Sequence, residues 1–443
     1  MAPAPVDEFV AFVLDQRRGV DFLIRHRTGL DFRRAVASMD DRQRQAEAAR
    51  LRCGPTRAVA RPERKSLSLS RLYGQSANSF LVSGALLISK LAHRWPERLR
   101  ILEIGEFGLF KKAYPDETTW IWTGDRSAPA LADATATPAA MFRVLRQISD
   151  KSYDLIVATP PLYSPAHPRY WARAFFRRPW TPWAALTKRF GTSYLRFADA
   201  SAPLVILDFN DCPSIGAPTS ALADKAKFIF KRELPTDRWR VLSGVGHKYL
   251  PTQRIRRSRK WGRRIGKFRP INLPLFFWRD EFAPTSFPDK SVDIFFSGAV
   301  DGNSTLRAEG RFELERLRSL GVTVDFPEHA LSLRDYCARM SRAWLAWSPE
   351  GLGWHCYRHA EAGLCQTVPV MNQPTVLRAT PLEEGIHGFY YTPEPGGLSR
   401  TITSALADKA KLKRVAEAAR IHSLANFTVK ACCDYILDAT FSL

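Results

Sequence analysis

The stretch WSPEGLGWHCYRHAEAGLCQTVPVM, residues Trp347–Met371, contains the pattern that decides the fold of the second half of the chain. An apolar run stops at a Ser-Pro pair and a loop with two glycines follows. A helical stretch over 354–364 then leads into a short apolar strand over 368–371. A strand, a glycine loop and a helix start form a site for an anion, because free backbone N–H groups and the helix dipole both point at it.

Two charged side chains lie on the predicted helix. Arg358 and Glu361 are three residues apart and therefore share one helix face. A guanidinium binds phosphate through two hydrogen bonds, and a carboxylate accepts hydrogen bonds from a vicinal diol. The pair therefore suits a sugar nucleotide. The alternative is a surface ion pair, which is the usual role of Arg and Glu at this spacing.

These residues resemble the donor-site motif of GT-B glycosyltransferases of the group 1 and exostosin-like kind. The resemblance rests on Ser-Pro-x-Gly-x-Gly-x-x-Cys-Tyr-Arg-x-x-Glu-Ala, then Val-Pro-Val, and on a Phe-Lys-Arg-Glu segment within Lys227–Leu234. It implies that Glu361 binds ribose hydroxyls and that Arg358 binds the diphosphate. Many relatives carry a second Glu eight residues before the ribose Glu, where this chain has Gly353. Gln366 stands where relatives usually have Gly at the helix end.

Further donor-site candidates lie in the glycine loop and in the turn after the run VDIFFS, where Arg307 is the predicted phosphate contact. The predicted nucleotide-sugar site comprises Ser297, Gly298, Arg307, Glu350, Gly351, Gly353, Arg358 and Glu361. We predict no metal and no cofactor besides the nucleotide-sugar donor. The sequence has no Asp-x-Asp triplet in a suitable loop, and its seven cysteines show no metal-binding spacing.

The first half alternates helical stretches with short apolar runs from about residue 65. Such runs, separated by helices, predict a parallel sheet covered on both faces. The runs are Arg100–Gly105, Thr119–Thr123, Tyr153–Ala158 and Pro203–Asp208. The loops ILEIGEFG and YDLIVATPPLY resemble motifs of S-adenosylmethionine-dependent methyltransferases, which leaves a methyltransferase as an alternative. In a glycosyltransferase the same loops would line the acceptor side of the cleft.

Glycosyl transfer requires a group that accepts the proton of the acceptor hydroxyl. Asp208 and Asp211 end a strand at the cleft-facing end, and His167 and His247 are further candidates. Each is otherwise a turn or cap residue. The predicted catalytic residues are Arg358, Asp211 and His167.

The net charge of +22 admits nucleic acid, an anionic membrane surface or phosphorylated substrates as partners. Residues 254–269 contain nine Lys or Arg in sixteen positions, a run that is usually solvated. We favour a membrane partner for this run, because no recognised nucleic-acid-binding motif accompanies it. The aromatic and basic segment 163–183 would contact a sugar or an anionic headgroup, or else form an apolar cluster on the core.

Length and composition favour a two-domain globular protein: 443 residues, 45% of them hydrophobic. The cysteine usage fits a reduced cytosolic setting. No signal peptide is recognised, and no apolar run reaches the roughly 18–20 residues that span a membrane. We therefore expect a cytoplasmic location, with peripheral contact at the inner face of the membrane as an option. The helical extension 1–65 would either lie on that surface or pack as a helical pair.

The predicted fold class is α/β, with two Rossmann-like domains facing a cleft and an N-terminal helical extension. The predicted boundaries are 1–65 for the extension, 66–285 for the acceptor domain and 286–443 for the donor domain. The predicted function is glycosyl transfer from a nucleotide-diphosphate sugar to a glycan or lipid-linked acceptor. The alternatives are methyl transfer and a non-enzymatic basic protein that binds nucleic acid or a membrane.

Overall fold

The structure is a computed structural model that describes residues 98–124, 128–161, 191–199, 201–247, 250–255, 259–300 and 304–442, without the side chains of 244–255. All of them belong to one compact unit, His93–Leu443. Several predictions lie outside the described residues: the helical extension 1–65, the segment 163–183 with His167, and the side chain of His247.

The first lobe is built on a seven-stranded parallel sheet and a separate two-stranded antiparallel hairpin. Its strands are β1 Ile101–Gly105, β2 Thr118–Trp122, β3 Ala134–Thr135, β4 Leu155–Ala158, β5 Leu204–Asp208, β6 Ala226–Lys231, β7 Ser243–His247, β8 Leu250–Ile255 and β9 Phe268–Pro270. The order β3-β2-β1-β4-β5-β6-β9 contains the doubly wound order of dinucleotide-binding folds. Every residue of β1, β4 and β5 is buried, as expected for strands covered on both faces.

Helices cover this sheet, and local sequence explains where they begin. They are α1 Leu109–Ala113, α2 Pro138–Ser149, α3 Ala217–Leu222 and α4 Arg259–Ile265. The side chain of Thr137 accepts a hydrogen bond from the Ala140 N–H, and proline occupies the first position of α2. A hydroxyl before a helix and a proline at its first position are favourable starts, because both suit the N–H groups that lack helical partners.

The second lobe is a five-stranded parallel sheet with helices on its faces. Its strands are β10 Val292–Phe295, β11 Val324–Asp325, β12 Ala343–Trp347, β13 Val368–Asn372 and β14 Phe389–Tyr391, in the order β11-β10-β12-β13-β14. Its helices are α5 Thr305–Ser319, α6 Leu333–Ser341, α7 Tyr357–Leu364, α8 Gly397–Leu406 and α9 Lys409–Asn426. With the first sheet, this topology confirms the predicted class of two Rossmann-like domains.

The last helix, α10 Val429–Phe441, leaves the second lobe and packs on the first. Cys433, Ile436 and Leu437 are buried in the same cluster as Ile101 and Phe110. The predicted packing of this helix across the domains is confirmed. The predicted domain boundary near residue 285 lies in the connection between β9 and β10.

Two sequence predictions about elements need correction. The single helix expected over 399–425 is two helices, because Asp408 breaks the run and its side chain caps α9 at the Lys411 N–H. Helix α7 begins at Tyr357, three residues later than predicted. The basic run 254–269 holds the end of β8, all of α4 and the start of β9, and the side chains of Arg259, Lys260 and Arg263 on α4 are exposed, as expected of a solvated run.

Two side chains of that basic run are used inside the first lobe. Arg264 is buried and pairs with Asp224, and its guanidinium lies over the ring of Trp261. The Lys267 ammonium donates to the carbonyl oxygens of Ala223, Asp224 and Ala226 at the end of α3. A cation at a helix C-terminus satisfies carbonyls that have no helical partner. These two charges are therefore not available to a polyanion.

Gln366, after the end of α7, has a positive φ of 53°. This is the left-handed region, which favours the glycine that relatives usually carry here and costs another residue up to about 1 kcal/mol. Its side-chain amide donates to the Ser286 carbonyl at 2.9 Å, so the side chain ties the helix end to the connection before β10. A glycine would relieve the backbone and lose that bond.

Candidate functional site

The predicted donor residues meet where the strand order of the second sheet reverses. The chain enters at β10, adds β11 on one side and then β12 on the other. Ligands of open parallel sheets bind at such a point, outside the carboxyl ends of the strands. Ser297 and Gly298 follow β10 there, and the glycine loop, residues 350–353, follows β12.

Three glycines in or beside this site lie directly against charged side chains. A Cβ atom at Gly298 would lie 2.8 Å from Nη2 of Arg358, and one at Gly351 would lie 2.8 Å from Nη2 of Arg307. At Gly353 a Cβ would lie 2.7 Å from Oε1 of Glu233. The loop therefore needs glycine because charged groups approach its backbone closely.

Two guanidinium groups converge on this site without a carboxylate partner among the described residues. Arg307 donates to the carbonyl oxygens of Glu350 and Ala299, at 3.0 and 2.9 Å. Arg358 donates to the Ser297 carbonyl and lies 4.7 Å above the centre of the Phe296 ring. Both guanidiniums donate to carbonyl oxygens, and the carboxylates of Glu350 and Glu361 act on the two charges only from beyond ion-pair distance.

The electrostatics of the pair favour an added anion. Burial lowers the pKa of Arg307, and the nearby charge of Arg358 lowers it further. Arg358 is buried, and its Nε has no hydrogen-bond partner within the described part of the chain. Like charges brought together away from water repel one another, and an anion between them removes that repulsion. The arrangement can therefore bind a diphosphate.

Glu361 lies on the same helix as Arg358 and is held by a phenol. The Tyr336 hydroxyl donates to its Oε2 at 2.8 Å. Burial raises the pKa of Glu361 and the hydrogen bond from Tyr336 opposes that rise. The pair of Arg358 and Glu361 is thus enclosed in the lobe, which argues against a surface ion pair.

Glu350 and Asn372 fix the start of the glycine loop to the end of β13. Asn372 accepts from the Glu350 N–H at 2.8 Å and donates to its carboxylate at 3.0 Å. Burial raises the pKa of Glu350. Asn372 is buried at the carboxyl end of its strand, where a side-chain amide can serve a loop as both donor and acceptor.

The backbone amides before α7 are already occupied by a side chain from the first lobe. Glu233 follows β6, and its carboxylate accepts from the N–H groups of Trp354 and His355, at 2.9 and 3.0 Å. The anion site predicted at this helix start is therefore filled by Glu233 in the structure. The positive charges of this region that could meet a diphosphate are those of Arg307 and Arg358.

The predicted proton acceptors differ in accessibility. Asp208 is fully buried and pairs with the equally buried Lys231 at 3.3 Å, which makes it part of the first lobe's interior. Asp211 is about half exposed, and its carboxylate binds Arg232 at 2.5 Å. It remains a predicted catalytic residue at the boundary of the two lobes.

The first of the two loops that resemble methyltransferase motifs, ILEIGEFG, is filled by the first lobe's own side chains. Glu103, buried in β1, accepts from the N–H groups of Leu109 and Lys111 at the start of α1. Gly108 has a φ of 57° and faces the ring of Trp120 at a distance that leaves no room for a Cβ. The geometry gives methyl transfer no support.

Sequence reasoning missed five residues of this region: Arg232, Glu233, Tyr336, His359 and Asn372. Only the first two carried a signal, because they belong to the Phe-Lys-Arg-Glu segment that supports the resemblance. The others gain their positions from tertiary packing, which spacing along the chain does not show.

No protein-family model matches this sequence, and no curated protein matches it. Solved structures of similar fold include Anabaena HepE in complex with UDP, with 14% identity and a TM-score of 0.45 over 78% of this chain and 100% of that one. A glycosyltransferase from Rickettsia africae ESF-5 has 11% identity and a TM-score of 0.43, over 78% of this chain and 100% of that one. The lipopolysaccharide outer core galactosyltransferase WaaB, in its apo form, has 9% identity and a TM-score of 0.44, over 77% of this chain and 99% of that one. Likeness at this level assigns no activity to the chain.

No helix among the described residues is both long and apolar enough to cross a bilayer. No group of three or more His, Cys, Asp and Glu side chains among them is arranged to hold a metal ion.

Proposed function

We propose that the chain is a glycosyltransferase of the GT-B type, which binds a nucleotide-diphosphate sugar on its second lobe and an acceptor on its first. The acceptor would be a glycan or a lipid-linked sugar, met in the cytoplasm or at the inner face of a membrane. Metal-independent transfer belongs to the same proposal, since the two guanidinium groups supply the charge that the reaction needs.

One observation carries the proposal: Arg307 and Arg358 converge, without carboxylate partners in the described chain, at the crossover point of a parallel sheet. Burying two like charges costs free energy unless an anion joins them. A diphosphate has the charge and the two phosphoryl groups that match two guanidiniums. Glu361 lies one helical turn from Arg358, where its carboxylate would accept hydrogen bonds from a ribose diol of the same ligand.

The chemistry follows from where charge develops. As the bond between the sugar and the diphosphate breaks, negative charge grows on the departing phosphate oxygen. Groups already oriented toward that oxygen lower the barrier, because they need not reorganise during the reaction. Arg358 is held by Ser297 and Phe296, and Arg307 by Glu350 and Ala299, so both are oriented in advance.

The test is calorimetric binding of UDP, GDP, ADP and dTDP to the whole chain. We expect one of these nucleotides to bind, and Arg358→Ala to weaken its binding by about a hundredfold, since hydrogen bonds to charged groups contribute roughly 1.5–3 kcal/mol each. Arg358→Lys keeps the charge but cannot form the bidentate hydrogen bonds, so its loss of nucleotide affinity should be smaller than that of Arg358→Ala.

Arg311→Ala is the matched control. Arg311 lies one turn beyond Arg307 on α5 and pairs with Glu315 at 2.9 Å, away from the glycine loop. It should bind nucleotide as the wild type does. A folded Arg358→Ala protein with unchanged nucleotide affinity would refute the diphosphate role, and a wild type that binds none of the four nucleotides would refute the proposed function.

A further inference from the structure

The segment after β6 is the place where the first lobe touches the glycine loop of the second. Arg232 donates to the His355 carbonyl at 2.7 Å and to Asp211 of its own lobe. Two residues further on, the Leu234 carbonyl accepts from the Leu377 N–H at 2.7 Å. The sequence Arg232–Pro235 therefore contacts the second lobe at two loops, the one before α7 and the one after β13.

Glu233 is the centre of this contact. Its two carboxylate oxygens take one amide each, Oε2 from Trp354 and Oε1 from His355. His355 Nδ1 lies 3.3 Å from Oε1, at ion-pair distance but out of line for a hydrogen bond. Gly353 supplies the space, since any Cβ there would overlap the carboxylate. The side chain is 2% exposed.

The charge state of this carboxylate suits a permanent contact. Burial raises its pKa, but His355, Arg232 and the Trp354 amide together hold the pKa down at about 2. The group is therefore ionised at any pH at which the protein would work. A carboxylate that accepts two consecutive amides fixes the backbone between them, and those residues lie two and three positions before the start of α7.

We propose that Glu233 is a positioning residue for donor binding: it reaches from the first lobe to fix the loop before α7, and so sets where Arg358 and Gly351 stand. This role rests on the proposed function. It makes the donor site a product of both lobes, although every residue predicted to touch the donor belongs to the second. The anion of the donor is directed to the two guanidiniums, because Glu233 already holds the loop amides.

The experiment combines two measurements on Glu233→Ala, Glu233→Gln and the wild type, all as the full chain. Amide hydrogen exchange of the peptide spanning 353–356 reports whether the carboxylate holds the loop. Calorimetry with UDP, GDP, ADP and dTDP, at a temperature where circular dichroism shows each protein folded, reports donor binding. Glu315→Gln is the control, since that carboxylate is half exposed on α5 and pairs with Arg311.

We expect exchange at Trp354 and His355 to rise at least tenfold in Glu233→Ala, and nucleotide affinity to fall roughly tenfold. Glu233→Gln should recover part of both, because its side-chain oxygen can accept one of the two amides. The control should match the wild type. Faster exchange with unchanged affinity, unchanged exchange, or tighter binding in Glu233→Ala would each overturn the positioning role.

A wild type that binds none of the four nucleotides would overturn the proposed function and this role together. In that case the exchange measurement would still show whether Glu233 holds the loop. The two failures are therefore distinguishable.

Discussion

His359 lies inside the second lobe and joins the residues on either side of the glycine loop, Ser348 and Trp354, to α7. Its Nε2 is 2.9 Å from the Trp354 carbonyl, and its Nδ1 is 2.7 Å from the Ser348 hydroxyl. A carbonyl can only accept, so Nε2 carries the proton and Nδ1 accepts from Ser348. The neutral ring satisfies both ends of the loop, and a protonated ring would break the bond from Ser348.

Burial lowers the pKa of His359 to about 3. In the unfolded chain the imidazole has a pKa of about 6.5, so below that pH the unfolded state binds a proton that the folded state refuses. The stability that His359 contributes is therefore complete above pH 6.5 and is lost as the pH falls toward 3. We expect the wild type to lose about 2 kcal/mol more unfolding free energy between pH 7 and pH 5 than His359→Gln does.

Urea unfolding of both proteins at the two pH values measures this difference. Glu103 also changes the stability of the protein with pH, because burial raises its pKa to about 7. Its contribution to the unfolding free energy increases as the pH falls from about 7 to 4.5, which is opposite in sign to that of His359. That contribution is common to the wild type and the variant, so it cancels in the comparison. Parallel pH dependences in the two proteins would show that His359 is not buried as a neutral ring.

Two glycines inside helices show how packing decides the effect of one substitution. Gly310, in α5, lies against the ring of Trp347, and a Cβ there would overlap the indole. Gly262, in α4, would meet only Trp239, at 4.0 Å. Alanine is favoured over glycine in helices by about 0.5–1 kcal/mol, but overpacking a core costs about 1–3 kcal/mol.

We therefore expect Gly262→Ala to raise the unfolding free energy by about 0.5–1 kcal/mol. Gly310→Ala should lower it by about 1–3 kcal/mol, because Trp347 is fully buried and has little room to move. Denaturant unfolding of the two variants beside the wild type is sufficient. Equal effects of the two substitutions would mean that α5 does not approach β12 as closely as the structure shows.

Strands and helices of this chain differ in how well the sequence predicts them. The runs of β1, β5 and β12 stand out, since a strand buried on both faces is apolar at nearly every position, with Glu103 and Asp208 as the exceptions in β1 and β5. The start of α7 was predicted too early, because the amides of Trp354 and His355 bond to Glu233, 121 and 122 positions away along the chain. Partners at such separations leave no local pattern.

The candidate site was also predictable only in part, where it depends on the order of strands and loops along the chain. Gly298, Gly351, Arg307, Arg358 and Glu361 lie together as expected, because they follow or flank adjacent parallel strands. The expectation that amides before α7 bind phosphate did not anticipate a carboxylate from the other lobe. The glycines of this site make room for guanidinium and carboxylate groups, which spacing along the chain does not reveal.

At the scale of the whole molecule, α10 couples the end of the chain to the first sheet. Leu437 is fully buried there, next to Cys433 and Ile436. Leu→Ala in a well-packed interior costs about 2–5 kcal/mol, so Leu437→Ala should lower the unfolding free energy by that amount. Leu424→Ala on α9 is the control, since Leu424 is 42% exposed and should change little.

Denaturant unfolding followed by tryptophan fluorescence measures both variants. Trp120 and Trp122 lie in the first sheet and Trp347 in the second, so the signal reports on both lobes. A Leu437→Ala protein as stable as the Leu424→Ala protein would show that α10 is not packed on the first lobe.

Within the described residues, the chain passes from the first lobe to the second between β9 and β10 and returns between α9 and α10. A protease that nicked only the first crossing would leave the two fragments held together, since the fragment that begins after the nick still ends in a helix buried on the other lobe. Separate production of either half would likewise expose an apolar surface that its own sequence cannot cover. Two fragments of the chain, split between 283 and 289 and produced in the same cell, should instead assemble, because α10 of the second fragment packs on the first lobe.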